Sequence, residues 1–448
     1  MSKPINIAVS LRKQAPLHLL VIFLCVCTVW SSELLPVSAQ RPAGRADTST
    51  AAARNAALTA ATEEVLKETS QVRELAVLRP VQSSAQSRAQ IEQMILRNLD
   101  RNTKPGEMHA AEVTLKKLGL APADFQYRPL VVRLLTEQVA GYYDPKAQQF
   151  HLADWIDADA QKPIMAHELV HALQDQHFNL RRFEQWPDGD SDAQLAAHAL
   201  IEGDATLAMS QYIMKNPLRA LGFLKSMAET GMTSEELDKA PRALRETLLF
   251  PYQEGMTWAR MVHQYGGWSN VSKAFRDLPQ STEQILHPEK YFVHEAPVKV
   301  SLPDIRLSLG RGWRRIESDV NGEWSLYLIL DQFLKSSPDS KRAAAGWGGD
   351  RYAVYESQRG QVVYVSVSAW DTEKDAREFF DAYTRNIELR YQSPIRAGTT
   401  ANWHRRRSWQ ANDGEIILQV SGVKVLVVEG IPRNVKARSV LSALSPAL

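Results

Sequence analysis

The chain has 448 residues, 44% of them hydrophobic and 23% charged, with a formal net charge of +2. That length exceeds what one core usually organises, so two domains are expected. The composition is that of a soluble globular protein, not a disordered or multi-span membrane one. So small a net charge gives no footing for nucleic acid or an anionic membrane as partner.

At the N-terminus, Lys3, Arg12 and Lys13 flank an apolar run from Leu17 to Trp30, and Val37-Ser38-Ala39 supplies the small residues of a cleavage site. Residues 1–39 therefore read as a signal peptide, and the protein as exported, periplasmic or extracellular. The run is short for a bilayer span, so no stable span is expected after cleavage. An uncleaved N-terminal anchor is the competing reading. Cys25 and Cys27, the only cysteines, lie inside the run and lack the small preceding residue that acylation favours. The mature chain would hold no disulfide.

Residues 40–61, rich in Ala, Thr and Arg, read as a flexible linker. A helix is expected over Thr62–Leu78, closed by Pro80. Further helical patterns cover Arg88–Asp100, Glu107–Leu118 and Arg128–Ala140. Gly141 to Pro145 reads as a turn and Gln148–Ala153 as a short strand. A helix then begins near Pro163, a residue suited to a first helical turn. Others follow at Asp192–Lys215, Pro217–Thr230, Thr257–Tyr265 and Trp268–Asp277. Near residue 345 the pattern changes. Arg351–Ser357 and Val362–Ser368 alternate as strands. Asp371 or Thr372 caps a helix striped by Phe379, Phe380 and Tyr383. Three more strand-like runs follow, two of them joined by Asn412-Asp413-Gly414. The fold class is thus α+β: a mainly helical domain over 62–340 and a smaller α+β domain over 341–448.

One stretch carries chemistry. In His167-Glu168-Leu169-Val170-His171, residues four apart share a helix face, so both imidazoles can address one zinc ion while Glu168 stands beside them as a base. Such a site needs a third protein ligand. His177 has the spacing of HExxHxxGxxH peptidases, but Gln174 stands where that motif has its turning glycine. On a continuous helix His177 is rotated about 240° from His171 and lies about 9 Å further on. Glu202, in the small and apolar stretch Ala199 to Thr206, is the better candidate. Gly203 beside it suits close packing, and Asp204 can hydrogen-bond the far nitrogen of a ligand histidine.

HELVHALQDQHF followed by ALIEGDAT resembles the gluzincin, peptidase-MA-like branch of zinc peptidases. GYYDP, Phe250–Gly255 and Ser281–Tyr291 are similar to segments of uncharacterised exported bacterial proteins with that motif. The resemblance covers roughly residues 70–300. It implies a zincin-like (thermolysin-like) core, zinc as cofactor and peptide hydrolysis. By position it assigns His167, His171 and Glu202 as ligands and Glu168 as general base. The stretch between His171 and Glu202 is longer than in the smallest gluzincins.

The expected function is an exported zinc metallopeptidase acting on a peptide or protein substrate. The alternative is an inactive zincin-fold protein serving as an envelope binding or assembly factor. An intact Glu168 argues against the alternative. The oxyanion needs a further donor, for which Tyr252, His287 and Tyr291 are candidates. The Arg405-Arg406-Arg407 run reads as solvated strand, and no nucleic-acid partner is expected. Substrate preference and oligomeric state are not legible here.

Overall fold

The structure, a computed structural model, describes residues 48–103, 105–138, 141–155, 161–185, 189–221, 235–392, 400–401 and 404–448. The expected signal peptide, both cysteines and residues 40–47 of the expected linker lie outside these. Among the described residues no helix is long and apolar enough to cross a membrane.

Helix α1 spans Thr48–Arg73, so residues 48–61 are helical where a linker was expected. Alanine-rich sequence favours helix without needing a stripe, and Leu58, Thr62, Val65, Leu66 and Thr69 are buried along it. The helix ends well before Pro80, where Glu74 takes a left-handed φ of 58°.

Strand β1 (Gln82–Gln86) pairs in parallel with β3 (Gln149–Ala153), and β2 (Gly141–Asp144) pairs with β3 antiparallel. The segment expected as a turn is therefore mostly strand, as its two tyrosines favour. Helices α2 (Arg88–Asn102) and α4 (Tyr127–Gln138) cover one face of this small sheet, and α3 (Pro105–Lys117) packs beside α4. Ile91, Ile95, Leu99, Val131 and Leu135 form a core there with Ala153. Phe150 and Leu152 point the other way, into the main core with α5 (Lys162–Phe178).

Helix α5 is buried on nearly all sides, with Met165, Ala166, Leu169, Val170, Ala172 and Leu173 at 0% exposure. Each fully buried leucine or valine removes enough apolar surface to contribute about 1.5–3 kcal/mol. Helix α6 (Ser191–Met214) lies against α5. Helix α7 (Glu235–Lys239) leads to α8 (Arg242–Ala274). Two helices beginning at Thr257 were expected in place of α8. The chain instead runs through Pro251 and breaks only at Gly266-Gly267, where Gly267 has φ 65°. Pro251 and Gly255 weaken helix propensity, and burial of Phe250, Tyr252 and Trp258 accompanies them.

Short helices α9 (Thr282–Leu286), α10 (Pro288–Phe292) and α11 (Arg306–Leu309) lead to β4 (Trp313–Asp319), α12 (Gly322–Leu334) and α13 (Ser337–Ala344). Then come β5 (Trp347–Ser357), β6 (Val362–Trp370), α14 (Glu373–Tyr391), β7 (Thr400–Ala401), β8 (His404–Ala411), β9 (Gly414–Ser421), β10 (Lys424–Ile431) and α15 (Ala437–Leu444). The antiparallel sheet runs β4-β5-β6-β10-β9-β8-β7. Its first strand starts at Trp313, upstream of the boundary expected at 341. As an edge strand, β4 carries Arg314 and Arg315 toward solvent and lacks clean alternation. The architecture is α+β.

Buried carboxylates join the helical part to the sheet. Asp192, at the start of α6, accepts from the Thr282 backbone N–H (3.1 Å) and hydroxyl (2.5 Å). Thr282 Oγ1 in turn accepts from the Trp324 backbone N–H at 3.2 Å. The Ser191 N–H donates to Asp319 over 2.9 Å. Asp350 accepts from the backbone N–H groups of Asn321 and Gly322 and from Trp347 Nε1. The start of α6 is thereby fixed from both sides.

Candidate metal centre

Three side chains from two helices converge. His167 Nε2 lies 3.1 Å from Glu202 Oε2 and 3.1 Å from His171 Nε2, and His171 Nε2 lies 3.4 Å from the same Glu202 oxygen. Tetrahedral zinc with nitrogen and oxygen ligands at about 2.0–2.1 Å holds those ligand atoms about 3.3–3.4 Å apart. The triangle is thus within a few tenths of an ångström of a zinc-binding face. Its donors are two imidazole nitrogens and one carboxylate oxygen, a set suited to that ion.

The electrostatics fit a cation as well. Glu202 is 2% exposed and Glu168 4% exposed, and buried charges are normally paired or metal-bound. Burial pushes the Glu202 carboxyl up, but the charge on His171 and hydrogen bonds with both histidines outweigh it and hold it well below the usual range. Burial opposes charge on His171, yet Glu202 and Glu168 together raise it to about 9. Burial lowers His167. One buried carboxylate, Glu202, therefore meets two imidazoles at one point, with Glu168 close enough for its charge to act on His171; a cation there would take over from a shared proton.

Glu168 points alongside the triangle. Burial is the main cause of its rise to about 8, and its Oε2 accepts the Tyr143 backbone N–H at 2.9 Å. The same Tyr143 donates its hydroxyl to Asp175 Oδ2 over 3.0 Å. Strand β2 is therefore pinned along α5 at two points one residue wide. Tyr143 lies in the segment expected as a turn, and a backbone donor carries no residue signature in the sequence.

Glu202 reaches α5 because α6 is pressed from behind. A Cβ on Gly203 would lie 2.2 Å from the Gly255 backbone. The expected close packing at Gly203 exists, but against α8 and not against the metal helix. The contact also brings Tyr252, one turn earlier on α8, to a ring-centroid distance of 6.2 Å from His167.

The other candidates separate cleanly. His177 Nε2 lies 2.7 Å from the Ala76 carbonyl oxygen, away from the triangle. It sits further along a continuous α5 and is excluded by helix geometry. Asp204 does not touch a histidine: Gln174 stands between them, and Asp204 pairs with fully buried Arg73. His287 pairs with Glu323 at 2.9 Å, and the Tyr291 hydroxyl donates to the Asp277 carbonyl at 2.9 Å. Both serve the structural joint around α9 and α10. His198, one turn before Glu202 on α6, was overlooked although its i, i+4 spacing was readable. Burial pushes it down to about 4 against the pull of the Glu202 charge.

A second acidic group, Glu283, Glu295 and Asp371, also gathers its oxygens within 4.8 Å. Lys290 Nζ occupies its centre, 2.7 Å from Glu283, 2.7 Å from Glu295 and 2.6 Å from Asp371. The ammonium group already supplies the charge a metal would bring.

Among known families, residues 309–441 match a domain of unknown function, DUF8575. This match covers the sheet and its helices and leaves the helices that carry His167, His171 and Glu202 outside. No curated protein matches the chain. A solved structure described as a "putative hydrolase with a novel fold from Chloroflexus aurantiacus" aligns with 15% identity and a TM-score of 0.35. The alignment covers 55% of this chain and 90% of that one. A likeness that slight carries no argument about fold or function.

Proposed function

We propose that the protein is an exported zinc metallopeptidase with a zincin-like catalytic core, in which His167, His171 and Glu202 hold the metal and Glu168 is the general base. The observation that carries this reading is the triangle of Nε2, Nε2 and Oε2 atoms at 3.1–3.4 Å, flanked by a buried carboxylate that is not part of it. The small sheet packed along the HExxH helix and the second helix bearing Glu202 support the zincin-like assignment.

Zinc held there would supply Lewis acidity toward a scissile carbonyl and acidify attacking water. The chain's own residues do the rest. Glu168, with its proton affinity raised by burial, takes the proton of the attacking water and delivers it to the leaving amine. The Tyr143 N–H on Glu168 Oε2 fixes the carboxylate's rotamer and leaves Oε1 to handle the proton. Tyr252, whose ring lies 6.2 Å from that of His167, and the imidazole of His198, one turn before Glu202, are the candidates to donate to an oxyanion.

Glu168→Gln keeps the shape and removes the base. Assayed on a mixed peptide library, the wild-type chain with zinc should cleave, and Glu168→Gln should lose at least about a hundredfold in rate with zinc content unchanged. Equal cleavage by both would remove the mechanism. Absence of cleavage by a fully zinc-loaded wild type would favour the binding or assembly role.

A further inference from the structure

Behind His171 lies a chain of polar contacts that links four helices, α5, α6, α1 and α8. Gln174 Nε2 donates to Asp204 Oδ2 at 2.9 Å and to the Ile201 carbonyl at 3.0 Å. Both partners are acceptors, so the amide has only one orientation. Its Oε1 then faces His171 Nδ1 at 2.8 Å and can only accept. His171 must therefore carry a proton on Nδ1. In a neutral imidazole this leaves the lone pair on Nε2, the atom that lies in the triangle.

The far end of the chain is equally determined. Asp204 Oδ1 accepts from Arg73 Nε, and Arg73 Nη1 donates to Ser272 Oγ at 3.1 Å. The guanidinium carbon lies 4.5 Å from the centre of the Trp268 ring. Arg73, Asp204 and Gln174 are all 0% exposed. A buried carboxylate is held here by one guanidinium, and an uncharged amide passes the constraint to the histidine. The Arg73 guanidinium pairs with the Asp204 carboxylate, and the amide of Gln174 separates that pair from His171. The imidazole is thus oriented without being pulled toward imidazolate.

We propose that Gln174, oriented by Asp204 and Arg73, is the positioning residue that fixes the His171 tautomer and aims its Nε2 at the metal. The proposal rests on the metal-site reading above and adds a role for three residues outside the ligand set. It also makes the last residue of α1 a structural requirement of the site. Partners of ligand histidines commonly set affinity by fixing tautomer and ring orientation.

The test uses the full mature chain and two readouts. Ring-nitrogen NMR of the zinc-loaded wild type should place the His171 proton on Nδ1, in slow exchange with solvent. A bare Nδ1 would overturn the proposal without any variant. In Gln174→Met, similar in volume but without the amide oxygen, that proton should lose its protection and exchange rapidly with solvent. Zinc affinity, read by competition with a chromophoric chelator, should fall about 10–100-fold. A folded Gln174→Met with wild-type affinity would also overturn it. If the wild type binds no zinc, the metal-site reading fails by itself, and a bare Nδ1 on His171 in the metal-free sample would still overturn the Gln174 proposal, since the contact requires a proton there in the neutral and the charged ring alike.

Discussion

Gly203 and Gly255 meet backbone to backbone: a Cβ on Gly203 would lie 2.2 Å from the Gly255 carbonyl carbon, and one on Gly255 would lie 2.2 Å from the Ala199 carbonyl oxygen. No side-chain motion relieves such a contact, so Gly203→Ala must separate α6 from α8. We expect a loss of about 1–3 kcal/mol in stability. Zinc occupancy should also fall, since Glu202 is the neighbouring residue. Thermal unfolding with and without zinc measures both, and unchanged melting temperatures would contradict the packing account.

Metal binding should release a proton. His171 is raised to about 9, chiefly by the Glu202 and Glu168 charges against the effect of burial. Below that value the ligand is protonated, and a metal must displace the proton. Zinc affinity should therefore rise about tenfold per pH unit between pH 6 and 8. Calorimetry in buffers of different ionisation enthalpy should count about one proton released per zinc at pH 7. No release, or affinity falling with pH, would contradict the ligand assignment.

Tyr252→Phe and His198→Ala separate the two oxyanion candidates. Loss of the acting donor should lower kcat by about 10²–10³ while zinc content holds. His198 lies well below neutrality, so any donation from it should be constant from pH 6 to 8. If both variants keep full turnover, neither residue has that role.

The sheet domain has its own buried ion pair. Glu429 is 0% exposed, accepts from the Tyr383 hydroxyl at 2.6 Å and pairs with Arg390. Burial pushes its carboxyl up, but Arg390 and Lys117 outweigh that and hold it below the ordinary value. A lowered carboxylate contributes stability that is full above its unfolded value of about 4.3 and is lost as pH falls through the folded one. Glu429→Gln leaves Arg390 buried without its counter-charge, at a loss of about 3–5 kcal/mol near neutral pH. The difference from wild type should shrink in acid. Urea unfolding at pH 7 and pH 3 checks this, and a gap that widens in acid would contradict it.

The HExxH helix was legible because that motif couples residue type to helical spacing. Glu202 was legible because a carboxylate in a small, apolar helix needs a reason to be there. Gln174, Arg73 and Tyr143 were not: their contributions depend on which helices meet, and two of them act through ordinary amide groups. The first half of α8 was missed because Pro251 and Gly255 argue locally against helix, while the packing that favours it is tertiary. Strand β4 was missed because an edge strand need not alternate. The segment Ser281–Tyr291, singled out for its resemblance to exported HExxH proteins and for His287 and Tyr291 as oxyanion donors, instead holds a joint between the two parts of the molecule.

The central claim is that two helices present one zinc site built from His167, His171 and Glu202. Zinc titration of the mature protein, followed by metal analysis after desalting, tests it most directly. The account predicts one zinc per chain in the wild type and in His177→Ala, with most of that affinity lost in Glu202→Ala. Zinc well below one per chain in the wild type, or loss in His177→Ala with retention in Glu202→Ala, would contradict it.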